Sequence, residues 1–280
     1  MRACSRLVAI VLLLAATVAA PHARADTREA LVIGNSRYAE VPLRNPVNDA
    51  EAVDAQLQAL GFKTRLVRDA GWREMIQATQ TFIVQTEDAD VRLIYYAGHG
   101  AQIRGHNYLI PVDAPLDDSD ALSARSLDAH EVLTRLTRHS RGFNLLILDA
   151  CRNNPLNQYQ LSADGRRLKL RGAAKGLAAM PSMPGTLVAF STAPGSVADD
   201  GPRQDHSLYT RHLLRQIGTP GVTIEQMFKR VRIGVLQESE QRQRPWEESS
   251  LTSDYCLVPT KAGSACAVPE PPTRVTNGAR

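Results

Sequence analysis

Asn144-Leu145-Leu146-Ile147-Leu148-Asp149-Ala150-Cys151-Arg152-Asn153-Asn154-Pro155 decides how the rest of the chain is read. A short apolar run closed by turn-forming residues is the pattern of a strand buried on both faces, and this one ends by presenting a cysteine. In an open α/β sheet, ligands lie in the crevice outside the carboxyl ends of the strands, which is where a thiol one residue past such a strand stands. Val91-Arg92-Leu93-Ile94-Tyr95-Tyr96-Ala97-Gly98-His99-Gly100 has the same form. Its histidine lies between two glycines, which would let the backbone turn sharply there. The two strand ends are expected to face each other and make a Cys-His pair.

Toward the N-terminus, Glu29 to Gly34 reads as a first strand and Asn35 to Tyr38 as the turn leaving it. A helix then opens with Asn45 as N-cap and Pro46 at its first position. Ala50, Val53, Leu57 and Leu60 share one face, Gly61 is the stop, and the first turn carries Asp49. Phe62 to Val67 follows as a strand, so the unit is strand, helix, strand, and a parallel sheet is the simplest topology. Trp72 to Thr86 repeats the pattern as an amphipathic helix leading into the His99 strand. Asn107 to Pro111 reads as a short strand, Pro115 to Asp120 as an acidic loop, and Asp128 as the cap of a helix carrying Val132, Leu133 and Leu136.

Beyond the cysteine, residues 152–185 lose periodicity and carry a basic cluster of Arg166, Arg167, Lys169, Arg171 and Lys175. Loops this long inside a compact domain are usually functional or disordered. Thr186 to Phe190 resumes as a strand. Ser207 to Ile217 and Thr223 to about Glu240 are helices, the second opened by a Thr223…Gln226 capping box. From Pro259 the chain is rich in Pro, Gly, Ser and Thr, which predicts a flexible tail over 259–280.

Composition sets the surroundings. Arg2 and Arg6 precede the apolar run Leu7 to Ala20, which is too short to span a membrane and is followed by Ala23-Arg24-Ala25, so residues 1–25 read as a secretory signal peptide. An earlier cut near Ala19 or Ala20 is compatible with the same residues. The expected location is therefore the periplasm of a Gram-negative source or the outside of the cell, with no membrane insertion once the signal is gone. Loss of Arg2, Arg6 and Arg24 leaves 30 basic against 29 acidic residues where the whole chain has 33 against 29. Such a near-neutral protein has no nucleic-acid-binding signature. Cys4 leaves with the signal, so Cys151, Cys256 and Cys266 remain. Either Cys256 and Cys266 close a small loop and Cys151 is the free thiol, or all three stay reduced.

A cysteine nucleophile acts as the thiolate, and a nearby histidine can both lower its pKa and carry the proton to a leaving amine. His99 and Cys151 are 52 residues apart at matched strand ends. Taken singly, each would read as a buried structural cysteine or a turn histidine; together they point to catalysis.

Leu31-Val32-Ile33-Gly34-Asn35, Asn48-Asp49-Ala50, Tyr96-Ala97-Gly98-His99-Gly100, Asp149-Ala150-Cys151-Arg152-Asn153-Asn154-Pro155 and Arg244-Pro245-Trp246-Glu247 together resemble the caspase-like cysteine peptidases, on the bacterial metacaspase and paracaspase side. The likeness covers nearly all of residues 28–258. The animal caspase signature is met only in part, since Asp149 and Asn153 stand where it has Gln and Gly. The resemblance implies an α/β, three-layer fold with a mostly parallel sheet of about six strands flanked by helices. It divides a 26–258 peptidase domain into a large-subunit part to about residue 165, the linker and a small-subunit part at about 186–258. It also implies His99 as general base and acid, Cys151 as nucleophile, and the backbone N–H groups of Gly100 and Cys151 as oxyanion donors.

Substrate choice follows in the same way. Acidic residues in metacaspases and paracaspases select arginine or lysine before the cut bond, and Asp49 and Asp149 match those positions. A third acid, Asp199 or Asp200, follows the Phe190 strand, with Asp200 preferred, while Val197 occupies one position where a paracaspase has glutamate. A carboxylate pair suits a guanidinium and repels an aspartate. Self-cleavage at Arg166, Arg167, Arg171 or Lys175 would give such a basic linker a use; a solvated basic loop is the plain reading.

Other chemistries fit poorly. His99 and His106 have no third ligand at zinc spacing, and no Gly-x-Ser-x-Gly elbow occurs. Asp113, Asp117, Asp118 and Asp120 lack an EF-hand pattern, so no cofactor is expected, with calcium activation left open. Trp246 is expected in the core or a pocket wall. The expected partner is a peptide or protein substrate, with oligomeric state undetermined. The rival class is a catalytically idle relative that binds a partner through the same groove.

Overall fold

A computed structural model describes residues 26–116, 118–138, 140, 142–151, 173–174, 177–180, 183–193 and 206–260, with the backbone alone at 151, 173 and 174. The chain alternates strand and helix. β1 (Arg28–Gly34), α1 (Pro46–Ala59), β2 (Lys63–Arg68), α2 (Trp72–Gln85) and β3 (Val91–Ile103) come first, then β4 (His106–Leu109), α3 (Ser119–Ala124), β5 (Leu127–Asp128) and α4 (Ala129–Arg138). β6 (Phe143–Cys151), β7 (Ala173–Ala174), β8 (Thr186–Phe190), α5 (Leu208–Gln216), α6 (Ile224–Glu238) and β9 (Trp246–Ser249) complete the described elements.

The main sheet runs β2-β1-β3-β6-β8-β9, parallel except for β9, which pairs antiparallel with β8. This is the expected six-stranded, mostly parallel sheet between helices. Helices cover both faces of the central strands, which is why their sequences are continuous apolar runs rather than alternating ones. One face packs Val32, Tyr95 and Ile147 against Val53, Leu57, Leu213, Phe228 and Val231, from α1, α5 and α6. The other packs Ile33, Tyr96 and Leu148 against Met75, Phe82, Leu133 and Leu136, from α2 and α4. Tyr95 and Tyr96 thus enter opposite cores, as a period of two requires. Even the one charged residue of β3 is satisfied: Arg92 is 1% exposed and donates to Asn144 Oδ1 at 2.9 Å and to the Leu136 carbonyl.

Several expectations need correcting. The chain does not turn at His99. β3 runs four residues further and exchanges β6 for a new partner, β4, through the antiparallel pairs Gly100 with Leu109 and Ile103 with His106. The turn comes instead at Arg104-Gly105, φ +52° and +87°, the conformation of a two-residue hairpin that matches strand twist. β7 adds to the same extension, opposite Gln102 and Ile103.

The acidic segment is not all loop either: Asp118 accepts from the N–H groups of Asp120 (3.2 Å) and Ala121 (3.1 Å) and so opens α3. Trp246 is no core residue, being 42% exposed on β9, an edge strand too polar for the apolar pattern to reveal. Asn45 precedes Pro46 as expected, but its side chain does not cap α1. Asp128 does cap α4, accepting from His130 N–H at 2.8 Å. Of the expected capping box, Thr223 Oγ1 accepts from Gln226 N–H at 3.3 Å.

Candidate active site

β3 and β6 lie side by side in parallel, and their register pairs Ala97 with Asp149, Gly98 with Ala150, and His99 with Cys151. Adjacent strands are about 4.8 Å apart, so the backbones of the two candidate catalytic residues are neighbours by ladder geometry alone. Gly100, the expected oxyanion donor on the histidine side, is the next residue along β3.

Two groups hold the His99 imidazole, the Val41 carbonyl and the Tyr38 ring. Asp69 Oδ1 accepts from the N–H groups of Ser36 (2.7 Å) and Arg37 (2.8 Å), and Leu43 N–H donates to Ser36 O at 2.9 Å, which closes the loop leaving β1. That loop brings the Val41 carbonyl to 2.8 Å from His99 Nε2. A carbonyl only accepts, so Nε2 carries the proton, and in the neutral ring Nδ1 holds the lone pair. Nδ1 is buried and has no hydrogen-bond partner among the described residues.

The Tyr38 ring lies against the imidazole, centroids 4.4 Å apart. Its hydroxyl accepts from His99 N–H at 2.9 Å and donates to the Ile110 carbonyl at 3.0 Å. Tyr96 donates to the His99 carbonyl at 2.6 Å. The two phenols therefore clamp the histidine's own peptide groups. Gly98 makes room for them, since a Cβ there would lie 2.6 Å from Tyr96 Oη and 2.7 Å from Tyr38 Oη. The glycine before the histidine thus serves a close approach of two side chains and not a reversal of the chain. Burial pushes the His99 pKa below the ordinary histidine value, against the Val41 hydrogen bond, which raises it. A buried imidazole whose Nδ1 has no hydrogen-bond partner among the described residues can take up a proton there.

The acids converge next to this pair. Asp49 is 1% exposed in the first turn of α1, and Asp149 is 8% exposed on β6. Ser207, the N-cap of α5, joins them: its N–H donates to Asp49 at 3.2 and 3.3 Å, and its hydroxyl donates to Asp149 Oδ2. His206 Nδ1 donates to Asp49 Oδ1 at 2.9 Å. Thr210 Oγ1 donates to Asp149 Oδ2 at 2.7 Å and lies 2.6 Å from Tyr95 Oη. Burial raises the Asp149 pKa, against the Ser207 and Thr210 hydroxyls that lower it.

His206, Ser207 and Thr210 went unnoticed in the sequence because they lie 157 to 161 residues from Asp49, on a helix start that looks like any capped helix. Asp200, Arg166, Arg167, Arg171, Lys175 and Cys266 lie outside the described residues. Cys256 is disulfide-bonded. Asp113 accepts from Trp72 N–H at 2.7 Å and Asp120 pairs with Arg104 at 2.9 Å, so these acids do not converge on one point. Among the described residues, no group of three or more His, Cys, Asp or Glu could hold a metal ion, and no helix is long and apolar enough to cross a membrane. A cleft between α2 and α4, lined by Trp72, Ile76, Ile83 and Val132, holds none of the candidate residues.

A mostly parallel sheet between two helical layers, with histidine and cysteine in register at its carboxyl side, defines the caspase-like class of α/β protein. The chain belongs to the caspase-domain family of cysteine peptidases, whose model (Peptidase_C14, caspase domain) matches residues 27–256. It is similar to Mucosa-associated lymphoid tissue lymphoma translocation protein 1 of Homo sapiens, with 33% identity over 129 residues. The Mus musculus homolog of that protein matches equally, at 33% over 129 residues. The matched stretch is 46% of this chain and only 15% of each relative.

Proposed function

We propose that the protein is a cysteine endopeptidase that cleaves peptides or proteins after arginine or lysine. The observation that carries the reading is the register pairing of His99 with Cys151, two residues along β6 from the buried Asp149.

In this mechanism Nδ1 of His99 takes the Cys151 thiol proton while Nε2–H stays on the Val41 carbonyl, which keeps the ring in one tautomer. The thiolate attacks the scissile carbonyl carbon, and the N–H groups of Gly100 and Cys151 stabilise the resulting oxyanion. Collapse breaks the C–N bond, and the proton on Nδ1 leaves with the amine. Water, deprotonated by the same nitrogen, then hydrolyses the thioester and returns the thiol.

Asp49 and Asp149 form the pocket for the substrate's cation, with Asp200 as a third acid. Alternation along an extended strand gives positions 149 and 151 the same face, which sets the pocket beside the nucleophile. Cleavage at Arg166, Arg167, Arg171 or Lys175 would make the enzyme its own first substrate. Residues 1–25 direct it out of the cytoplasm, to the periplasm or beyond. The chemistry requires no cofactor, and calcium enters as a variable of the assay.

The test is hydrolysis of fluorogenic peptides ending in Arg, Lys or Asp under reducing conditions, with and without calcium, against Cys151→Ala. Turnover of the Arg and Lys peptides by wild type alone is expected. No turnover of any peptide would overturn the reading in favour of an idle, partner-binding relative.

A further inference from the structure

We infer that His206 determines substrate specificity by occupying the cation pocket until a substrate displaces it. The inference rests on reading Asp49 and Asp149 as that pocket.

The two acids are held by different kinds of donor. Asp149 is bound by the hydroxyls of Ser207 and Thr210, which are 6% and 0% exposed and built into the first turn of α5. The Ser207 hydroxyl cannot turn away without giving up the N-cap, because its Oγ also accepts from Thr210 N–H at 3.0 Å. Asp49 is bound in part by His206, whose side chain is 29% exposed while that of Asp49 is 2% exposed. His206 precedes the N-cap, so its side chain can rotate into solvent while the Ser207 amide stays on Asp49 and the helix remains intact.

The imidazole thus stands between solvent and a buried carboxylate. A guanidinium or ammonium that enters brings its own charged N–H donors and replaces the bond it breaks. An uncharged side chain that pushed the imidazole aside would remove the His206 donor from Asp49 without replacing it, and would be disfavoured for that reason. Selectivity comes from the bond that must be replaced, and each cationic substrate gives up part of its affinity to break it.

The test uses the purified protein in two assays. One is the KM for an Arg-ending peptide; the other is the Kd of benzamidine, an amidinium probe, measured calorimetrically on the Cys151→Ala protein. His206→Ala is expected to lower both by about tenfold, the factor a hydrogen bond to a charged group is worth, with the change falling on KM rather than kcat. His206→Lys, which puts a permanent cation beside Asp49, is expected to raise both. A rise or no change with His206→Ala would overturn the inference and make His206 a positioning residue or a bystander. Wild type that neither binds benzamidine nor cleaves after Arg would overturn the pocket reading itself, a result separable from the first.

Discussion

His99 and Cys151 occupy paired positions on neighbouring parallel strands. Their spacing is therefore set by the hydrogen-bond ladder of the sheet and not by loop conformation. If the two act as the proposed base and nucleophile, bringing them together without ordering a loop is an entropic contribution to catalysis already present in the fold. Cys151→Ala is expected to abolish hydrolysis, and His99→Ala to slow alkylation of the Cys151 thiol by iodoacetamide at neutral pH. Equal alkylation rates in wild type and His99→Ala would show that the imidazole does not activate the thiol.

The direction of the His99 shift predicts a pH profile. Burial lowers its pKa, and in the proposed mechanism the neutral ring is the active form. The acid limb of kcat/KM should therefore fall below the ordinary histidine value of about 6.5. The same shift links to folding: the unfolded chain binds the proton more tightly, so stability drops as pH falls from the ordinary value through the lowered one. An acid limb above pH ~6.5 would contradict this.

Gly98→Ala tests the tyrosine clamp. The added methyl would press on both phenol oxygens, and such overpacking costs about 1–3 kcal/mol. Chemical denaturation should show a loss of that size, and kcat should fall further than stability accounts for, because Tyr38 and Tyr96 orient the histidine's peptide groups. Tyr38→Phe, which keeps the ring and drops the hydroxyl, should lower kcat with KM nearly unchanged.

Asp149→Asn separates stability from specificity. Burial raises the Asp149 pKa, so the folded protein binds that proton more tightly, and stability decreases as pH rises from the ordinary carboxylate value through the raised one. The amide carbonyl can still accept from Ser207 and Thr210. The variant should melt no lower than wild type at neutral pH, yet lose at least about tenfold in kcat/KM for Arg-ending peptides, the effect of ~1.4 kcal/mol at the transition state. A lower Tm with selectivity retained would assign Asp149 a purely structural role.

Much of the fold was legible because central parallel strands are written as unbroken apolar runs and helices as periodic ones. Val91 to Gly100 and Asn144 to Cys151 could hardly be anything else. What escaped was carried by weaker signals. β9 is a four-residue edge strand with three polar residues, α3 is a short turn opened by a single Asp118 cap, and the run of β3 past His99 depends on a new partner strand that periodicity cannot announce. At the site, the quoted motifs pointed to His99, Asp49, Asp149 and Cys151, and the described geometry brings their backbones or side chains into one region. His206, Ser207, Thr210 and the Val41 carbonyl stayed hidden, because a capped helix start and a backbone oxygen have no residue-type signature.

The uninterrupted passage of β3 through His99 has an evolutionary corollary. On the proposed mechanism the proton-handling residue is embedded in β3, which pairs with β1, β4, β6 and β7, whereas Asp49 and His206 of the proposed pocket hang from the beginnings of α1 and α5. Changes at those helix starts can re-tune what is recognised without disturbing how it is cut. One scaffold can therefore diversify its diet while its chemistry stays constant.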